Sequence, residues 1–123
     1  MPSLILIIDD DPNLGPVTTE LLVALGYRAM WVESYERGFD ALSNPHEIGI
    51  VLLDLQLGTQ RGETLIEALL AKGIAVPPLL IFSAQPIHEL KRASETVKAR
   101  GILQKPCNAA AINQAIQAAS LAA

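Results

Sequence analysis

The sequence predicts an α/β fold in which helices cover both faces of a parallel sheet. Short, continuous apolar runs rich in Ile, Val and Leu alternate with stretches whose apolar residues recur at helical spacing. The clearest runs also stop at a polar residue, as expected for strands whose carboxyl ends carry a site. We therefore expect one domain over residues 1–123, with five strands, five helices and no output domain.

The first strand is predicted over Leu4–Ile8, a β-branched run that ends at three aspartates. A helix should follow as far as Gly26, a residue suited to ending it. Pro16 predicts that this helix starts late or kinks, because proline removes a backbone donor. A second strand is predicted over 29–33, a short stretch without a β-branched run.

The middle of the chain gives the clearest strand, Ile48–Leu53, which ends at Asp54. Before it, Ser34 is expected to cap a short helix that runs to about Leu42. After it, the polar residues 58–62 predict a turn. The next helix should end at Gly73. Its predicted core-facing stripe is Leu65, Ile66, Leu69 and Leu70.

The last elements are shorter or more polar. A strand is predicted over 79–82, ending at Ser83, and a polar helix over 88–100. A fifth strand over 102–104 ends at Lys105-Pro106. Asn108 should cap a final helix over 109–121, and no charged residue occurs from 106 onwards. An outer helix face so poor in charge suggests a homodimer interface, a contact to another domain or a truncated chain.

Composition excludes several functions. Nine Lys and Arg against thirteen Asp and Glu give a net charge of -4, so we expect no direct nucleic-acid binding. The only cysteine, Cys107, cannot form an internal disulfide, which favours a cytoplasmic location. No apolar run approaches the roughly 20 residues that span a bilayer, so no membrane association is expected. Met1-Pro2-Ser3 lacks a basic segment, so we expect no signal peptide.

The polar residues of interest all follow predicted strands. With right-handed crossovers and a strand order of 2-1-3-4-5, the carboxyl ends of these strands would meet at one edge of the sheet. The residues brought together there are Asp9, Asp10, Asp11, Asp54, Ser83 and Lys105. The sequence therefore predicts a single polar site at this edge.

This set of residues favours phosphoryl transfer assisted by a metal ion. Converging carboxylates repel one another unless a cation is present. Oxygen ligands favour Mg²⁺, with Mn²⁺ as an alternative, over zinc, which would require His or Cys. A metal ion, the ammonium of Lys105 and the hydroxyl of Ser83 could neutralise the oxygens of a transferred phosphoryl group. Asp54 is then the predicted nucleophile.

Four motifs follow one another along almost the whole chain. They are Ile8-Asp9-Asp10-Asp11-Pro12, Leu52-Leu53-Asp54-Leu55 with Gly62 eight residues after Asp54, Ile81-Phe82-Ser83-Ala84 and Gly101-Ile102-Leu103-Gln104-Lys105-Pro106. In these motifs and their order the chain resembles the receiver domains of two-component response regulators, in particular small stand-alone receivers. The resemblance implies a flavodoxin-like, doubly wound, five-stranded sheet in the order 2-1-3-4-5. It also implies that this phosphoprotein receives its phosphoryl group from a sensor histidine kinase or a histidine phosphotransfer protein.

The resemblance also implies a role for each site residue. Asp54 would be the phosphoacceptor, and Mg²⁺ would be bound by Asp10, Asp54 and the backbone carbonyl of Gln56. Asp9 would act through water. Ser83 would bond the phosphoryl group, Lys105 would pair with it, and the Lys105-Pro106 peptide would be cis. Helix four, strand five and helix five would form the output face for a partner.

The chain also departs from the family pattern at two positions. Ile102 occupies the place of an aromatic residue whose ring normally swings inward, and Gly58 stands where many receivers have proline. Gln56 and Gln85 occupy variable positions beside the path of attacking water. Ile102 and Gly58 motivate the alternative that the chain is a receiver-shaped interaction module that is not phosphorylated. No enzymatic activity on an external substrate is expected, only self-catalysed phosphorylation and dephosphorylation.

Several residues of the chain can also be explained by a purely structural role. Asp11 should serve only as a turn and cap residue, and Ser83 could cap the following helix as well as face the phosphoryl group. His46 and His88 lack partners at metal spacing and should lie on the surface. Trp31 is interpreted as a packing residue on an outer strand.

Overall fold

The computed structural model describes residues 4–121, and residues 1–3, where the absence of a signal peptide was expected, lie outside the described residues. The elements in chain order are β1 (Leu4–Ile8), α1 (Leu14–Ala24), β2 (Arg28–Val32), α2 (Tyr35–Ser43), β3 (Ile48–Leu53), β4 (Gln56–Leu57), β5 (Gln60–Arg61), α3 (Gly62–Ala71), β6 (Leu79–Ser83), α4 (Ile87–Val97), β7 (Gly101–Gln104) and α5 (Ala109–Leu121).

The main sheet has five parallel strands in the order β2-β1-β3-β6-β7. Counted along the main sheet alone, this is the predicted order 2-1-3-4-5, with five helices around it. The prediction of a doubly wound, flavodoxin-like α/β fold is confirmed. Because β1 and β3 are central, the residues that follow them lie side by side at the carboxyl edge.

The sheet separates the core into two apolar clusters. Side chains of successive strand residues point to opposite faces, so neighbours such as Leu52 and Leu53 belong to different clusters. One cluster packs against α2, α3 and α4 through residues such as Leu65 and Leu90. The other packs against α1 and α5 through residues such as Leu22 and Ile116. Burial on both faces explains why β1 and β3 read as continuous apolar runs.

The first helix starts late, as predicted from its proline. It begins at Leu14, which places Pro16 in the first turn, where a backbone N–H has no partner within the helix. The helix ends before Gly26, whose φ of 96° suits a residue without a side chain. The N–H of Tyr27 then donates to the carbonyl of Leu22 and closes the end. Ser34 and Asn108 cap α2 and α5 as expected, their side chains accepting from backbone N–H groups.

Several predictions of local structure were wrong in detail. Strand β7 starts at Gly101, one residue earlier than predicted, and α4 also starts one residue early, at Ile87. Helix α4 ends at Val97 instead of residue 100, because Lys98 adopts a left-handed conformation with φ 55°. The second strand begins and ends one residue earlier than predicted. Leu70 is 55% exposed and does not face the core. The polar turn after Asp54 contains the antiparallel hairpin β4–β5.

The helices of the fold are short. Within residues 4–121, none is long and apolar enough to cross a membrane.

Candidate functional site

An open cleft of about 530 Å³ lies at the carboxyl edge of the main sheet. Its lining includes residues from four strand ends, namely Asp10, Asp54, Gln56, Ser83, Gln85 and Lys105. These residues lie far apart in the sequence and meet here because the parallel strands end on the same side. The predicted convergence is therefore present in the structure.

Three aspartates form the acidic part of the cleft. One carboxylate oxygen from each of Asp9, Asp10 and Asp54 lies within 4.8 Å of the other two. Asp9 is 1% exposed and Asp54 9% exposed, whereas Asp10 lies in the open part of the cleft. Two carboxyl groups are thus held in a poorly solvated position beside a third that is exposed to solvent.

Lys105 supplies a cation to this group. Its Nζ donates to Oδ2 of Asp9 at 2.6 Å and to Oδ2 of Asp54 at 3.2 Å. The ammonium also lies 4.9 Å from the centre of the Phe82 ring. Burial would lower the pKa of Lys105, but the bond to Asp9 and the charges of Asp54 and Asp9 outweigh it, so the pKa is raised. Lys105 therefore stays protonated.

Burial disfavours the charged form of both Asp9 and Lys105, but the contacts of the pair outweigh it only for Lys105. Burial raises the pKa of Asp9 above its ordinary value, and the bonds from Lys105 and from the N–H of Asp11 oppose this only in part. The charge of Asp54 acts in the same direction as burial. The Lys105 ammonium thus compensates the burial of Asp9 only in part.

The acidic residues are held by backbone groups of neighbouring turns. Oδ2 of Asp10 accepts from the N–H of Gly58 at 2.8 Å, and Oδ1 of Asp54 accepts from the N–H of Gln56 at 3.2 Å. Asp11 accepts from the N–H groups of Asn13 and Leu14. The predicted turn at Asp11 is therefore present, but the capping position of α1 is Asn13 and Asp11 also lines the cleft.

The hairpin β4–β5 folds back closely behind Asp54. The N–H of Gly62 donates to the carbonyl of Leu55, which draws the start of α3 against the strand end. A Cβ on Gly62 would lie 2.3 Å from the Asp54 carbonyl oxygen, so only glycine fits. Gln56 lies opposite Arg61 in the hairpin. The carbonyl of Gln56 is therefore carried by a paired segment next to Asp54.

Ser83 and Gln85 form the wall of the cleft nearest α4. Ser83 is buried at the end of β6, and its carbonyl accepts from the N–H of Lys105. It does not cap α4, whose capping residue is Pro86 without a side-chain bond. The carbonyl of Gln85 accepts from the side chain of Gln104 at 3.0 Å, while the side-chain oxygen of Gln85 is buried without a hydrogen-bond partner.

The donor set fits a small divalent cation that prefers oxygen. The converging side-chain ligands are carboxylates, and their crowding would be relieved by added positive charge. Zinc ligands lie elsewhere: His88 is exposed, and Nδ1 of the exposed His46 accepts from a backbone N–H. Burial raises the pKa of the Cys107 thiol, which disfavours the thiolate form that binds zinc.

A charge network beside the hairpin had no signal in the sequence. Glu63, 6% exposed in the first turn of α3, accepts from the guanidinium of Arg61 at 2.9 Å. Arg92 on α4 lies 4.0 Å from the same carboxylate and pairs with Glu89. Glu63 thus connects the hairpin behind Asp54 to α4. Nothing in the spacing of these residues distinguishes them from solvated surface charges.

Comparisons with known proteins agree with this geometry. A family model described as the response regulator receiver domain matches residues 5–117. The two-component response regulator PprB of Pseudomonas aeruginosa is 38% identical over 65 residues, which are 53% of this chain and 24% of that protein. The sensory/regulatory protein RpfC of Xanthomonas campestris is 30% identical over 108 residues, which are 85% of this chain and 15% of that protein. The chain therefore spans only a minor part of these relatives.

Solved structures show the same fold at low sequence identity. A CheY-like response regulator receiver domain protein from Methanospirillum hungatei has a TM-score of 0.81 at 23% identity, covering 95% of this chain and 92% of that one. Chemotaxis protein CheY4 of Vibrio cholerae has a TM-score of 0.83 at 18% identity, covering 95% and 98%. The family match over residues 5–117 and the shared fold lead to one conclusion: this chain belongs to the receiver domain family of two-component response regulators.

Proposed function

We propose that this receiver domain is a signalling switch that accepts a phosphoryl group on Asp54. The observation that carries the proposal is the position of Lys105, whose ammonium is bonded to both Asp9 and Asp54 at the bottom of an open cleft. A cation placed beside a carboxylate at an accessible strand end is the arrangement that in-line phosphoryl transfer requires.

The transfer can be written with this chain's own groups. A carboxylate oxygen of Asp54 forms a bond to phosphorus of a phosphohistidine donor. The bond from phosphorus to the imidazole nitrogen breaks, its electron pair stays on that nitrogen, and the nitrogen takes a proton. Lys105 lies where it can pair with the phosphoryl oxygens, and the hydroxyl of Ser83 lines the same cleft. Attack by water later releases inorganic phosphate and restores the carboxylate.

Receiver domains in general bind Mg²⁺ at an acidic pocket, and the aspartates of this cleft match that requirement. In this proposal Asp10, Asp54 and the carbonyl of Gln56 would hold Mg²⁺, with Asp9 acting through water and Mn²⁺ as a substitute. When bound, the ion would neutralise charge on the phosphoryl oxygens and on the three carboxylates.

Receiver domains interact in general with histidine kinases or phosphotransfer proteins and with output partners. For this chain we propose a histidine kinase or a histidine phosphotransfer protein as donor. The proposed output face is formed by α4, β7 and α5, and self-association through it belongs to the same proposal. The domain would have no external product, since it would catalyse only its own phosphorylation and dephosphorylation. A cytoplasmic location stays a prediction.

One observation favours a second candidate, an interaction module that is not phosphorylated. Ile102 is partly buried against the cluster that contains α4 and has no ring that could change position. A receiver without this aromatic residue either transmits the effect of phosphorylation to its output face by another route or does not transmit it. The two candidates differ in whether Asp54 is modified.

The test is the intact mass of the protein after incubation with acetyl phosphate, with and without Mg²⁺. The proposed switch gains the mass of one phosphoryl group only with Mg²⁺, and Asp54→Asn does not. The matched control is Asp40→Asn, at a position on α2 outside the cleft, which should be labelled like the wild type. A folded wild type without any gain would support the unmodified module instead, and labelling of Asp54→Asn would remove Asp54 as the acceptor.

A further inference from the structure

The side chain of Trp31 does more than pack on the edge strand. Its indole N–H donates to the backbone carbonyl of Asp9 at 2.7 Å. Trp31 belongs to β2, whereas Asp9 directly follows β1, so the bond crosses from the edge of the sheet to the residue pair that opens the acidic cleft. Interpreting Trp31 as a packing residue alone, as the sequence suggests, misses this donor.

The indole has one well-defined position. A Cβ on Gly15 would lie 2.2 Å from the Trp31 ring, so α1 can lie against the ring only because residue 15 is glycine. The ring is also packed against the cluster that contains Ile5 and Ile7. Because the ring lies this close to Gly15 of α1, a rotation that turns its N–H away from Asp9 would disturb the contact with α1.

With this bond, the N–H, the carbonyl and the side chain of Asp9 all take part in hydrogen bonds. Its N–H donates to the carbonyl of Val32, also in β2, and its carbonyl accepts from Trp31. Its side chain accepts from the N–H of Asp11 and from Lys105. The carbonyl that Trp31 holds belongs to the peptide bond between Asp9 and Asp10, and because that peptide is planar, its orientation sets the direction in which Asp10 leaves β1.

We infer that Trp31 is a positioning residue for the cation site, acting through the Asp9–Asp10 peptide. The inference rests on the proposed function, in which Asp10 and Asp54 hold Mg²⁺. The indole N–H keeps the peptide oriented so that the Asp10 carboxylate stays near that of Asp54. Without this donor the peptide gains freedom, and cation binding must then include the cost of ordering it.

The test compares two variants that each remove one hydrogen bond from the layer formed by α1, β2 and α5. Trp31→Phe keeps an aromatic ring and removes the N–H. Tyr27→Phe is the matched control, because it removes the bond from Tyr27 to Asn113 without touching Asp9. The affinity for Mg²⁺ is measured by calorimetry on the unphosphorylated protein, and the stability of each variant by urea unfolding without Mg²⁺.

The expected result is a loss of about fivefold in Mg²⁺ affinity for Trp31→Phe, the size of one net hydrogen bond, and no loss for Tyr27→Phe. A purely structural role predicts that both variants lose stability and keep the wild-type Mg²⁺ affinity, and this result would overturn the inference. A wild type that binds no Mg²⁺ would overturn the proposed metal site and the inference together. The two failures are therefore distinguishable.

A second measurement needs no variant. The sequence has one tryptophan, so its indole N–H gives a single resonance in a ¹H–¹⁵N spectrum. Because the N–H is bonded to the peptide that leads to Asp10, the resonance should shift on Mg²⁺ titration, and its hydrogen exchange should slow at saturation. A resonance that neither shifts nor slows while Mg²⁺ binds would contradict the role of Trp31.

Discussion

Lys105 and Asp9 are paired across the sheet although their strands are not neighbours. Two strands, β3 and β6, lie between β1 and β7, yet Nζ of Lys105 is 2.6 Å from Oδ2 of Asp9, closer than it is to Asp54. The long lysine side chain thus spans the carboxyl edge and makes its shorter bond to the more deeply buried carboxylate.

The first prediction concerns this pair. Lys105→Met should lower the free energy of unfolding without Mg²⁺ by about 3 kcal/mol, because it leaves the buried Asp9 carboxylate without its cation. Mg²⁺ should restore more stability to this variant than to the wild type, since no ammonium then competes with it. Urea unfolding with and without Mg²⁺ measures both effects. Lys91→Met, at an exposed position of α4, is the control, and equal losses in the two variants would contradict the prediction.

The second prediction is a dependence on pH. Since folding raises the pKa of Asp9, the protonated form stabilises the native state. This contribution is complete below the ordinary pKa of 3.8 and is lost as the pH rises through the raised value. Asn at position 9 resembles the protonated acid at every pH. The stability of Asp9→Asn relative to the wild type, without Mg²⁺, should therefore increase as the pH rises from below 3.8 to neutrality.

Unfolding curves at a series of pH values, with Asp40→Asn as a control outside the cleft, test this dependence. Added Mg²⁺ at neutral pH should reduce the advantage of Asp9→Asn, because the wild-type carboxylate then faces a further positive charge. A relative stability that falls with rising pH would show that the bond from Lys105 outweighs the burial of Asp9.

The third prediction concerns the close approach behind Asp54. Gly62→Ala should cost about 2 kcal/mol of stability and slow labelling by acetyl phosphate, because the new Cβ would push on the Asp54 carbonyl. Gly73→Ala, just after the end of α3 and outside the cleft, is the control. Its Cβ would meet nothing within 4 Å, so only the φ of 75° is unfavourable, at about 1 kcal/mol, and labelling should be unchanged. Equal labelling rates in the two variants would contradict the prediction.

The fourth prediction concerns the charge network of Glu63. Glu63→Gln should lower the free energy of unfolding by about 1 to 2 kcal/mol. The reason is that the neutral amide cannot form the ion pair that the buried carboxylate makes with the partly exposed guanidinium of Arg61. Glu67→Gln, on the exposed side of the same helix, should have almost no effect. In a double-mutant cycle, Arg61→Met should cost less in the Glu63→Gln variant than in the wild type. Strict additivity would show that the pair contributes nothing.

The strands and the convergence of the site could be predicted because both depend on patterns along the chain. Ile48–Leu53 is a continuous apolar run, which is typical of a strand buried on both faces, and Asp54 is the first polar residue after it. The late start of α1 followed from the missing backbone N–H of Pro16. Such rules act on one residue and its near neighbours, so they can be read without a structure.

Other features depend on contacts between distant residues and could not be predicted. The hairpin β4–β5 has strands too short for any periodicity, and it exists because Gly62 can approach Asp54. Lys98 ends α4 in a left-handed conformation that its residue type disfavours. The bond from Trp31 to Asp9 joins residues 22 positions apart, and no spacing rule connects an indole with a backbone carbonyl at that distance.

The division of the core by the sheet has a consequence for combining substitutions. Leu65 and Ile116 lie in different clusters with the strands between them, so their cavity-forming variants should have additive effects on stability. The carboxyl edge differs, because Asp54 follows a strand whose side chains enter both clusters. The two apolar clusters could therefore be redesigned independently of each other, provided that the backbone of β3, which leads to Asp54, keeps its conformation.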